Sequence, residues 1–134
     1  MKMHFIVRAI SILSYFSIYL MGMMIGIPFI CYLFLMPFFE WTTTPSQPLT
    51  ALAALLGLGM LLRTYAPRVR QTNLATEVFI FILLLSPIIE RLVSVPLSLF
   101  DYPGFVVPLI CFLVLYPLSI ILRLKMQKIE ITNQ

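Results

Sequence analysis

The sequence predicts an all-α integral membrane protein, a single four-helix transmembrane domain over residues 1–134 with both termini cytoplasmic and no extramembrane domain. Three observations carry this expectation. Of 134 residues, 61% are apolar and 10% charged, against about 45–50% and about a quarter in soluble domains. A chain this short has too high a surface-to-volume ratio to bury the excess, so lipid must stand in for water. Its charges also fall between long apolar runs, each near the roughly 20 residues that cross a hydrocarbon core.

The first apolar run is the longest, with no charge between Arg8 and Glu40. As one straight helix it would measure about 46 Å, too long for one crossing and too short for two with a turn. The expectation is therefore one helix over about 9–36, tilted and kinked near Gly26-Ile27-Pro28. Proline withholds a backbone donor and clashes with the preceding turn. A basic leader is the competing reading of Met1 to Arg8. The apolar run exceeds the roughly 15 residues of a signal core and offers no small-x-small cleavage site.

The second span covers about 48–64 and ends in Arg63. Asn73 is a suitable N-cap for the third, about 74–92, which carries Glu77 in its first turn and Glu90-Arg91 near its end. A first-turn carboxylate complements the helix dipole, and Arg68 or Arg70 is within reach as its partner. The fourth span, about 105–122, is uncharged and is followed by Arg123 and Lys125. The link 93–104 is too apolar for a free loop and is expected to lie along the outer interface.

Orientation follows from the cations. Lys2, Arg8, Arg63, Arg68, Arg70, Arg123, Lys125 and Lys128 share one side of a four-span chain, and Arg91 alone takes the other. That asymmetry places both termini inside, in a bacterial cytoplasmic (inner) membrane. The net charge of +4 then reflects topology and anionic headgroups; no basic face interleaved with aromatics invites nucleic acid.

Small residues suggest how the helices associate, because apolar side chains gain little from one another in lipid. Gly22 and Gly26 form a small-xxx-small face in span one, and Ala53 and Gly57 form one in span two. These two faces are expected to pack together or to meet a partner protein. Prolines 28, 37, 87, 96, 108 and 117 fall in or beside the spans, and each frees a carbonyl that needs a hydroxyl, a water or a neighbouring helix. Ser86 and Ser119 are placed to help.

Chemistry is sparse. The histidine, His4, suits a headgroup-level position, and Cys31 and Cys111 lack the spacing of a metal or redox centre. No metal, cofactor or catalytic residue is expected, and no phosphate loop or nucleophile elbow appears. The candidate interaction residues are Gly22 and Gly26, with an outer-face group of Glu40, Trp41, Glu90, Arg91, Asp101 and Tyr102. In that group Trp41 serves as an interfacial anchor. The chain resembles the four-span small multidrug transporters in size and span number, but their membrane-embedded first-span Glu has no counterpart between Arg8 and Glu40.

Those features point to a non-catalytic accessory or assembly subunit of a larger membrane complex. It would contact the lipid bilayer and a membrane-protein partner, or a second copy, through its small-residue faces. A small oligomeric transporter or channel is the first alternative. An immunity protein against a pore-forming toxin is the second.

Overall fold

The computed structural model describes residues 2–21, 26–38, 41–42, 44–64 and 73–132. The described chain is all-α apart from one small hairpin. Helix α1 (Lys2–Phe16) leads into strands β1 (Tyr19–Met21) and β2 (Gly26–Pro28). Then come α2 (Phe29–Leu35), a 3-10 turn (Met36–Phe38), α3 (Ser46–Thr64), α4 (Leu74–Ser94), a second 3-10 turn (Leu97–Phe100) and α5 (Pro103–Thr132). By length and composition, α3 and residues 103–129 of α5 are long and apolar enough to cross a membrane. α4 is 21 residues long and carries Glu77, Glu90 and Arg91.

The expected single kinked helix over 9–36 is corrected. The helix stops at Phe16, ten residues before Gly26, and the chain doubles back in an antiparallel hairpin pairing Tyr19 with Pro28 and Met21 with Gly26. Local chemistry accounts for the break. Glycine and proline are the poorest helix formers, and Pro28 sits at the hairpin's end, where it need not donate a ladder bond. Ser14 and Ser17 turn their hydroxyls back onto the carbonyls of Ile10 and Leu13, a bond that competes with helix continuation. The Phe29 N–H donates to Ile18 O at 2.8 Å, fixing where α2 begins.

The small-residue expectation changes with it. Gly26 lies in β2, where an added Cβ would stand 2.2 Å from the Tyr19 ring. It therefore serves hairpin closure and not a helix–helix face. Gly22 lies outside the described residues. Gly57 faces α4, where an added Cβ would stand 3.0 Å from Leu83 and 3.5 Å from the Ile80 carbonyl; its near neighbours are on α4 and not on the first helix.

Two helix pairs make up the fold: α3 runs along α4, and α1 runs along α5. The α3/α4 register is antiparallel, since Ser46 meets Glu90, Thr50 meets Ser86 and Gly57 meets Ile80. Across the seam, α1 and α4 run parallel: Arg8 meets Glu77 and Tyr15 meets Leu84, the same offset of 69 residues twice. Tyr15, Phe29, Phe81, Phe112 and Tyr116 fill the seam with rings whose centroids lie 4.8–5.7 Å apart. At Pro87 the displaced acceptor is Leu83 O, and the Ser86 hydroxyl donates to it at 2.8 Å, as the sequence suggests. Ser119 donates instead to Tyr116 O, which is not the carbonyl freed by Pro117.

Glycine substitutions test this packing. Gly26→Ala should lower the melting temperature, overpacking costing about 1–3 kcal/mol. Gly59→Ala, with open space at the Cβ, should leave it unchanged or raise it. A thermal melt of both variants in detergent reads the difference.

Candidate functional site

The most heavily built polar site lies at the end of the bundle where α1 starts and α5 finishes. Glu77 occupies the first turn of α4 and is clasped from two helices. Arg8 of α1 donates through both terminal nitrogens, one bond to Oε1 at 3.2 Å and the other to Oε2. Arg123 of α5 donates to Oε1 at 2.8 Å, and its other terminal nitrogen reaches Thr64 O on α3 at 3.4 Å. The Tyr116 hydroxyl accepts from Arg8 at 3.3 Å, and its ring lies 5.2 Å from the same guanidinium. All four long helices therefore meet at one carboxylate.

Burial separates the three charges. The side chains of Arg8 and Glu77 are each 2% exposed, whereas Arg123 is 14% exposed. Two guanidiniums against one carboxylate leave an excess positive charge on the more open side. His4 stands near this charge. Partial burial first, then the fields of Arg123 and Arg8, hold its pKa below that of an ordinary histidine, because protonation would add a third cation.

Glu77 stands in the first turn of α4, as the sequence suggests; Arg68 and Arg70, its expected partners, lie outside the described residues. The ionic partners found are Arg8 and Arg123. Asn73 occupies the cap position without a side-chain cap bond; its carbonyl accepts from the Thr76 and Glu77 N–H groups. In the sequence Arg8 and Arg123 stand out only as cations flanking apolar runs, and the signal for their pairing is that the charge count assigns Glu77 to the same expected side as eight of the nine Lys and Arg residues.

At the opposite end, the candidate outer group divides. Glu90 accepts hydrogen bonds from Ser46 at 3.1 Å and Ser94 at 2.8 Å, while Arg91 stacks over the Tyr32 ring at 4.7 Å. Neighbours in sequence, the two turn to different partners. Tyr102 donates its hydroxyl to Tyr19 O, tying the start of α5 to the hairpin. Trp41 donates to Pro37 O at 2.7 Å and is half exposed. Asp101 is exposed, and Glu40 lies outside the described residues. Among the described residues, no ion pair joins Glu90, Arg91 or Asp101 to one another.

Set against known protein families, curated proteins and solved structures, the chain matches none. The site's meaning thus rests on its own geometry.

Two measurements probe that geometry. Glu77→Gln should destabilise the fold by about 3–5 kcal/mol, since it strands two buried guanidiniums. Arg123→Gln should cost less because Arg8 still covers the carboxylate, and denaturant titration in micelles ranks the pair. NMR titration of His4 should give a pKa below the usual 6.5, moving upward in Arg123→Gln as a nearby positive charge is removed.

Proposed function

We propose that this chain is a small non-catalytic membrane protein whose four long helices cross the bilayer and pack laterally against a larger membrane complex. The arrangement that supports this reading is where polar and apolar groups point. The charges of the clasp face inward and tie the helices together. Outward faces carry exposed Leu13, Leu56, Phe79, Ile82, Val107, Val114 and Ile121. A lipid or protein neighbour is the environment in which such surfaces are stable.

The four-crossing arrangement draws further support from register. Ser46 and Thr64 bound α3 and sit about 27 Å apart along the axis, close to the hydrocarbon thickness. α1 is shorter, and the hairpin with its Tyr102 tie completes its passage toward the far end. Glu77, Arg8 and Arg123 then lie at the basic, cytoplasmic boundary, where ionisable groups cost less than at mid-membrane. An inner membrane with both termini cytoplasmic accords with the cation distribution.

A transport reading has one specific observation in its favour. Backbone that is not helical at membrane depth is tolerated where it is buried in protein or lines a cavity, and strands β1 and β2 would supply such backbone. Discontinuous helices of this kind form substrate sites in transporters. The accessory reading accounts for the same break through hairpin closure on Gly26 and the Tyr102 bond.

Affinity capture in mild detergent, followed by native mass measurement, separates these readings. Retention of a larger membrane partner at fixed stoichiometry is expected. A stable monomer or homo-oligomer that moves an ion or drug in liposomes would instead establish the transport reading. Topology is checked with cysteines at positions 44 and 69, Cys31 and Cys111 being replaced by alanine. An impermeant reagent on intact cells should label position 44 and spare position 69.

A further inference from the structure

We propose that the clasp end of the bundle binds the phosphate of an anionic phospholipid headgroup, with Arg123 as the principal contact and His4 and Arg63 beside it. This rests on the reading above, in which that end meets the inner leaflet.

The argument begins with charge. Arg8 and Glu77 neutralise each other in a buried, doubly hydrogen-bonded pair. Arg123 shares the same carboxylate but brings a second positive charge that the pair does not balance. Its side chain is 14% exposed against 2% for Arg8, so Arg123 is the guanidinium of the clasp that an outside anion can reach. Arg63 sits in the last turn of α3, next to Thr64, whose carbonyl holds Arg123. Lys125 and Lys128 follow on α5, with Glu130 about two turns beyond Arg123. Arg63 and Lys125 thus add positive charge to that of Arg123 at this end.

A second observation concerns His4. Its Nδ1 is buried and has no hydrogen-bond partner among the described residues. A phosphate oxygen at Arg123 would give that nitrogen an acceptor and would favour its proton, whereas a third cation would not.

The surroundings favour a lipid as the source of the phosphate. Phe5 and Ile6 on α1, Leu62 on α3 and Ile121 on α5 are all exposed apolar side chains close in sequence to these cations. They offer a surface for acyl chains where Arg123 offers a contact for the headgroup. Guanidinium is the side chain best shaped for a phosphate, through parallel charge-assisted bonds. Basic sites between membrane helices on the cytoplasmic side commonly take anionic headgroups.

Native mass spectrometry of the full chain in detergent, with equal parts phosphatidylglycerol and phosphatidylcholine, is the first test. One phosphatidylglycerol should be retained about tenfold more often than phosphatidylcholine; equal retention overturns the proposal. In vesicles, replacing half of the phosphatidylcholine by phosphatidylglycerol should raise the melting temperature by about 4 °C through preferential binding to the folded state. That rise should vanish in Arg123→Gln and persist in Lys125→Gln. Equal loss in both variants would mean diffuse attraction and no site. The same rise from millimolar inorganic phosphate in lipid-free detergent would overturn the lipid as the source. Release of the chain from membranes by alkaline carbonate would defeat the underlying membrane reading as well, and so identifies that failure separately.

Discussion

Everything in this fold hangs on the buried carboxylate of Glu77 and the two guanidiniums that hold it. The helices form two pairs, α1 with α5 and α3 with α4, and apolar contact between such pairs is non-directional. The clasp supplies directionality. Arg8 reaches from α1, Arg123 reaches from α5 and also holds Thr64 O on α3, and Glu77 receives both on α4. Neither cation nor anion is tolerable alone in that position, so each fixes the register of the helix that carries it. The repeated offset between α1 and α4 follows, with Tyr15 meeting the Leu84 carbonyl at 2.8 Å.

From this anchor the rest is assembled by packing. Aromatic rings fill the seam beyond Tyr116, and Gly57 lets α3 approach α4 closely. At the other end weaker ties suffice: Ser46 to Glu90, Arg91 over Tyr32, Tyr102 to the hairpin. The distribution puts the ionic ties at the clasp end. It also concentrates positive charge there, which joins the mechanical role of Arg123 to its proposed affinity for phosphate.

Composition and charge spacing made three of the long helices legible: the expected 48–64, 74–92 and 105–122 correspond to Ser46–Thr64, Leu74–Ser94 and Pro103–Thr132. Polar punctuation sits directly beside their ends, so the signal is local. The first apolar stretch was misread because hydropathy reports what a segment dissolves in and not its backbone path. Gly26-Ile27-Pro28 marked a disruption, yet a kink and a reversal share that signature. What decides between them is the fit of the Tyr19 ring over Gly26 and the Tyr102 hydroxyl from a loop far along the chain. The site was half legible for a related reason. Glu77 stands out in sequence, but its partners lie 69 and 46 residues away, and pairing over such distances depends on helix order in space. Arg68 and Arg70 are the choice that sequence proximity suggests and lie outside the described residues; among the described ones, Arg8 and Arg123 are brought to Glu77 by helix order.

A double-mutant cycle between Arg8 and Glu77, using Arg8→Met, Glu77→Leu and the combined variant, bears most directly on this account. Unfolding free energies in micelles should show a coupling of about 2 kcal/mol or more, with the double variant more stable than the Glu77→Leu single. Additivity within about 0.5 kcal/mol would contradict the claim that this pair joins the two halves of the bundle.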